Sequence, residues 1–196
     1  MSDPKQQTRR GFLGTAAAAL AVANLPGPLA SPALAQGISR PAPQWEILEW
    51  INGDGGNVDT LKGKVIVIDF FQLWCPGCNK FSGPLMQYWQ QKFAADIATG
   101  RLVMVKIHTG FEGRNYQTVK RLKRYVKDKG ITIPVGVDRH IGRRRLPETM
   151  RRYNTKGTPE MAIIDKDGMI RFQHFGYFKP STVEPMLVRM LEQTRA

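Results

Sequence analysis

The seven residues Val65-Ile66-Val67-Ile68-Asp69-Phe70-Phe71 constrain the fold more than any other part of the chain. They are β-branched or aromatic at every position but one, with no alternation of apolar and polar side chains. Such a run suits a strand buried on both faces, the situation at the centre of a parallel sheet covered by helices. A second run of this kind spans residues 102–108. Helical patterns fill residues 81–98, ended by Gly100, and 116–129, ended by Gly130. Residues 132–137 read as a short strand, 146–153 as a short helix and 180–192 as a last helix opened by Pro180. Met161-Ala162-Ile163-Ile164 and residues 169–175, joined by Asp165-Lys166-Asp167-Gly168, read as an antiparallel hairpin. Ahead of all these, a proline-rich extended lead-in (39–43) precedes the alternating strand 45–50 and the turn residues 52–56. Strands alternating with helices predict an α/β fold. Its central mixed β-sheet is flanked by helices and carries a short N-terminal β extension. No internal repeat and no second domain is visible.

The residues directly after the first run carry the chemistry. Trp74-Cys75-Pro76-Gly77-Cys78 holds both cysteines of the chain. A disulfide closing so small a loop is a poor staple, because loop entropy and hence stabilisation grow with loop length. As a reversible thiol–disulfide centre the same spacing works well. Cys75 falls where the buried strand ends and a helix begins, so unpaired N–H groups and the helix dipole favour its thiolate, the nucleophile in disulfide exchange. Pro76 suits the first helical turn, where its missing N–H is not needed. Cys78, one turn further in, is placed to attack the mixed disulfide that Cys75 forms. Asp69 is an acid among six apolar neighbours; burial is expected to raise its pKa. An acid reaching solvent at a strand end is the alternative. His108 ends the second buried run, at the sheet edge where α/β active sites form, and is either a structural residue or one that approaches the cysteines.

The first 35 residues read as an export signal. Arg9-Arg10 precedes a short apolar stretch, prolines follow at 26, 28 and 32, and Ala33-Leu34-Ala35 offers a cleavage site. The arginine pair resembles a twin-arginine signal. The apolar stretch is too short to cross a bilayer of about 30 Å. Cleavage after Ala35 leaves residues 36–196 as one domain destined for the periplasm. Removing Lys5, Arg9 and Arg10 against Asp3 lowers the net charge from +13 to +11. Two clusters supply much of it: residues 120–127, and 139–152 with Arg143, Arg144, Arg145, Arg151 and Arg152. Each is either a solvated surface or a docking face for an acidic protein or anionic lipid. Nucleic acid is disfavoured by the destination.

These residues in this order resemble the thioredoxin family. Asp69 lies six positions before the first cysteine, as in thioredoxins, and Gly157-Thr158-Pro159 stands where that family carries a cis-proline. The hairpin Ile164-Asp165-Lys166-Asp167-Gly168-Met169-Ile170 resembles the extracytoplasmic TlpA/ResA branch. Lys106-Ile107-His108-Thr109 and His174-Phe175-Gly176 are closest to DipZ-type domains. The resemblance implies a thioredoxin fold and a catalytic set of Cys75, Cys78 and Asp69, with Asp69 accepting the Cys78 proton through water. It also implies a substrate-binding surface of Trp74, Pro76, Gly77, Thr158 and Pro159, and a Cys75–Cys78 disulfide in the oxidised form. The Thr158–Pro159 bond is expected to be cis, with the preceding backbone pairing with substrate as an added strand. Packing alone is the alternative for Trp74. The sequence departs from the family in its Pro-Gly dipeptide, in the long Arg-rich segment, and in Pro84, which comes one residue late. That extra residue is expected to be absorbed as a π-bulge.

The function expected is that of a periplasmic thiol–disulfide reductase without a cofactor. Its partners are protein disulfides or thiols, acidic ones included, and an upstream membrane-bound redox protein; the chain itself is expected to be a monomer. A thiol oxidant of the same fold is one alternative. A copper-carrying module is another, since thiolates suit Cu(I), though no Met-rich or His-rich cluster accompanies them. No bound metal is expected, because the three histidines lack zinc-ligand spacing.

Overall fold

The structure is a computed structural model and describes residues 38–194; the export signal read at 1–35 lies outside them. Seven strands form one sheet: β1 (Arg40–Pro41), β2 (Ile47–Ile51), β3 (Val65–Phe71), β4 (Leu102–His108), β5 (Val135–Asp138), β6 (Glu160–Ile164) and β7 (Met169–Phe175). Their spatial order is β1-β7-β6-β3-β4-β5-β2. The central strands β3, β4 and β5 are parallel, whereas β6, β7, β1 and β2 join antiparallel. The sheet is therefore mixed, as expected. The proline-rich lead-in contributes the two-residue edge strand β1, which the sequence pattern did not reveal.

Both faces of β3 are buried, and its alternation assigns each side chain to one of them. Val65 and Val67 pack with Met86, Trp89 and Leu187 beneath α1 (Gly83–Lys92) and α5 (Pro180–Gln193). Ile66, Ile68 and Phe70 pack with Trp45 and Tyr153, the latter from α4 (Glu148–Tyr153). Asp69 falls on the face of Val65 and Val67. Phe71 joins a third cluster with Cys75, Cys78, Leu122 and Val126, where α3 (Val119–Asp128) covers the sheet.

The helix expected over 81–98 is three pieces. A π-helical turn, Cys78–Ser82, runs into α1, and Phe93 separates α1 from α2 (Ala94–Ala98). The π-turn is the bulge that the late Pro84 predicted: the Gly83 N–H bonds back five residues to the Cys78 carbonyl. A Cβ at Gly83 would lie 2.8 Å from that oxygen, so glycine is needed for the close approach. Phe93 leaves the helical conformation and buries its ring in the core. Helix α3 begins three residues later than its pattern suggested, because Tyr116 and Gln117 are used at the site described next.

Candidate active site

The polypeptide enters the site at the end of β3, and its first helical turn is held by side chains rather than by packing alone. Asn79 Nδ2 donates to the carbonyls of Leu73 and Cys75, both at 3.0 Å. Its own carbonyl accepts from Tyr125 OH at 3.1 Å. Cys75 Sγ accepts the Cys78 N–H at 3.2 Å and donates to the Thr158 carbonyl at 3.3 Å. Both cysteines are free thiols. Cys75 is 7% exposed and Cys78 1%. The Cys78 side chain hydrogen-bonds the Cys75 sulfur and, with the backbone N–H groups of Cys78 and Gly77, outweighs burial; the Cys75 pKa is lowered to about 6. Cys78 moves the opposite way. Its hydrogen bond to Cys75, its burial and the negative charge of Asp69 push its thiol far up. The two sulfurs thus differ in acidity, Cys75 shifted down and Cys78 up.

Asp69 is fully buried, which excludes the solvent-reaching alternative. It is not alone, however. Lys106, its register partner on β4, is 3% exposed and forms an ion pair with Asp69 Oδ2. The Lys106 ammonium also lies 4.6 Å from the centre of the Phe71 ring. Asp69 Oδ1 has no hydrogen-bond partner among the described residues. A cavity of about 120 Å³ runs between α1 and α3 to Cys78 and Lys106. It is large enough for water, which needs roughly 10–15 Å³.

Across the pair stands Pro159, joined to Thr158 by a cis bond. Gly77 faces it so closely that a Cβ there would meet Pro159 Cδ at 2.7 Å. Pro76 is exposed beside them. Trp74, 45% exposed, stacks on Tyr116 with ring centres 5.6 Å apart. Of the residues picked from the sequence, Gly77, Thr158 and Cys78 therefore stand against the Cys75 sulfur, with Pro159 packed on Gly77 and with Trp74 and Pro76 on either side of Cys75 in the chain.

Comparison with known proteins agrees with this geometry. The thioredoxin-like domain family matches residues 59–191. The chain belongs to this family. A crystal structure of the thioredoxin-like superfamily protein SPOA0173 is 35% identical, with a TM-score of 0.72 over 77% of this chain and 96% of that one. A thiol-disulfide isomerase from Corynebacterium glutamicum is 33% identical, with a TM-score of 0.68 over 76% of this chain and 96% of that one. The thioredoxin-like protein YneN of Bacillus subtilis is 23% identical over 140 residues, covering 71% of this chain and 73% of YneN. DipZ of Mycobacterium bovis is 23% identical over 155 residues, 76% of this chain but 20% of DipZ, so the chain spans about a fifth of that protein. The resemblance to the branch that includes DipZ holds. As a thioredoxin-like protein with a built dithiol site, the chain is a thiol–disulfide oxidoreductase.

His108 is held against Gln117 at the end of β4. It is 2% exposed, and burial lowers its pKa. Gln117 Oε1 accepts the Leu73 N–H at 3.1 Å and faces His108 Nε2 at 2.8 Å. With that oxygen pinned by a backbone donor, Nε2 must carry the proton. The imidazole therefore braces the strand end and presents no basic nitrogen to the cysteines through this atom. Lys106, Gln117, Asn79, Tyr116 and Tyr125 were not singled out as site residues from the sequence. For Lys106 a signal existed: a cation inside a buried run is as anomalous as Asp69, and the two runs pair side by side.

Among the described residues, no group of three His, Cys, Asp or Glu side chains is arranged to hold a metal ion. No helix among them is long and apolar enough to cross a membrane.

Proposed function

We propose that the chain is an exported thiol–disulfide reductase acting on protein disulfides through Cys75 and Cys78. The observation that carries this reading is the split between the two sulfurs: Cys75 lowered to about 6 beside the surface, Cys78 raised and buried behind it. The Cys75 thiolate attacks one sulfur of a substrate disulfide, and the other leaves as a thiolate that takes up a proton. Cys78 then attacks Cys75 Sγ, its proton passing through cavity water to Asp69. The second substrate thiol departs, and the Cys75–Cys78 disulfide remains. A membrane-bound donor of two electrons returns it to the dithiol. The edge formed by Thr158 and Pro159 receives the substrate backbone, with Trp74, Pro76 and Gly77 around it.

The direction is supported by the nucleophile's acidity. A value of about 6 lies nearer the ~7 of thioredoxin than the ~3.5 of the strong oxidant DsbA. Export is supported by the paired arginines and the apolar stretch at the N-terminus.

Two measurements test the proposal. A Cys78→Ser variant should accumulate a mixed disulfide between Cys75 and protein substrates; retention of stoichiometric copper without any such adduct would mean carriage instead. Equilibration against a glutathione series should give a potential near −270 mV, about that of thioredoxin, whereas a value near −120 mV would make the protein an oxidant.

A further inference from the structure

The Arg-rich segment after β5 is irregular, yet it is fixed in place against the loop that follows β4. Arg114, in the loop after β4, donates to the carbonyls of Arg144 and Arg145 and lies 3.0 Å from His140 Nδ1. His140 Nε2 in turn lies 3.2 Å from the Gly110 carbonyl. These contacts stitch the segment 139–145 to the loop 110–117. That loop touches the active-site tryptophan directly, since a Cβ at Gly113 would fall 2.0 Å from the Trp74 ring and Tyr116 stacks on it. The Arg121 guanidinium caps the stack from α3, 4.1 Å from the Tyr116 ring centre. A path of contacts thus leads from Trp74, the residue before Cys75, through Tyr116 and the loop 110–117 to a group of exposed arginines.

The charge along this path is one-sided. Arg114, Arg121, Arg139, Arg143, Arg144 and Arg145 are all exposed, and Glu112 is the one acid within residues 110–117 and 139–145. Arg144 is paired with Glu148, whereas Arg139, Arg143 and Arg145 enter no ion pair among the described residues. Consecutive like charges on a segment pinned in this way repel one another in the free protein. They are retained at a cost that an anionic partner would offset. The outer cations of α3 carry less meaning, because Lys123 pairs with Glu49 and the helix is solvated.

We infer that this ridge is the docking surface for the substrate, and that the substrate is a polypeptide with acidic residues flanking its disulfide. The inference rests on the reductase reading above and names its substrate class. Trp74 and Tyr116 supply the apolar contact next to the reacting sulfur, and the arginines beyond them steer and hold the acidic flank. A polypeptide is favoured over a lipid surface because the ridge is continuous with Trp74 and so with the reacting disulfide.

The test uses two synthetic peptide disulfides that differ only in four flanking residues, glutamate in one and lysine in the other. The reduced protein should react with the acidic peptide at least about tenfold faster at low salt, within the range that electrostatic steering provides. The advantage should fall toward unity in roughly 0.5 M salt as the charges are screened. The charge-reversed variant Arg143→Glu/Arg145→Glu should lose the preference and keep the wild-type rate with hydroxyethyl disulfide, which is small and uncharged. Equal rates for the two peptides, or a preference that survives charge reversal, would overturn the inference. So would charge-sensitive binding to phosphatidylglycerol vesicles without any peptide preference, which would assign the ridge to a membrane. Failure with hydroxyethyl disulfide would count against the reductase reading and not against the ridge. In that case anisotropy of a labelled cysteine-free acidic peptide decides, with about tenfold weaker binding expected in the variant and unchanged binding overturning it.

Discussion

At the scale of single residues, Asp69 shows what a buried acid does when a buried base faces it. The sequence pointed to the acid by its apolar neighbours, and on that basis Asp69→Asn would slow exchange while leaving the fold intact. Lys106 changes the second half of that expectation. Removing the carboxylate strands an ammonium that is 3% exposed beside Phe71. Breaking one partner of a buried pair costs about 3–5 kcal/mol, whereas replacing both by apolar groups of similar volume is often neutral. Asp69→Asn is therefore expected to lower unfolding stability by an amount of that order, as well as slowing exchange near neutral pH. The double variant Asp69→Asn/Lys106→Met should recover most of the stability and remain slow. Urea unfolding and insulin-reduction rates on the same three proteins separate the two effects. Recovery of the rate in the double variant would remove Asp69 from proton transfer; an undiminished stability in the single variant would mean that Lys106 finds another partner.

Among the elements, legibility followed regularity. The central strands and the closing hairpin were plain because their burial is continuous and their turn residues are specific. The π-turn was legible too, from one residue of excess between Cys78 and Pro84. The start of α3 was not, since Tyr116 and Gln117 are helix-compatible residues drawn off by contacts to Trp74, His108 and Leu73, which no local pattern records. The segment between β5 and α4 was equally opaque. It is closed by Asp138, whose two oxygens accept the Thr149 and Met150 N–H groups at 2.8 and 2.9 Å, eleven and twelve residues away. Burial outweighs these bonds and raises its pKa from 3.8 to about 6. The folded state then holds this proton when the unfolded chain has lost it. Asp138 contributes most stability below about pH 4, and that contribution falls as pH rises through about 6. Two pKa units correspond to roughly 3 kcal/mol. The stability lost in Asp138→Asn is expected to shrink by about that amount between pH 4 and pH 7, seen as converging urea midpoints. A loss that grows with pH would mean that the amide hydrogen bonds dominate over burial.

For the whole molecule, the decisive quantity is the reduction potential, because it sets which way electrons run between this protein and its partners. It depends on everything that favours the dithiol over the disulfide. The lowered Cys75 is one such contribution, and it leaves a signature that single-residue reactivity does not. Below the Cys75 pKa, reduction takes up two electrons and two protons, so the potential falls by about 59 mV per pH unit. Above it the reduced form keeps one proton fewer, and the slope halves to about 30 mV, the value of a tenfold change for a two-electron couple. With Cys75 near 6 and Cys78 pushed up, the break is expected at about pH 6, with no second break up to pH 8. Glutathione equilibria from pH 5 to 8 measure it. A uniform slope of about 59 mV would mean that Cys75 keeps an ordinary thiol pKa. The Cys78 hydrogen bond would then give the nucleophile no advantage. Because each pH unit above the break lowers the potential, and so adds to the reducing power, only half as much as a unit below it, the same measurement fixes how strongly the protein reduces at neutral pH. That ties the direction of electron flow to one hydrogen bond between two sulfurs.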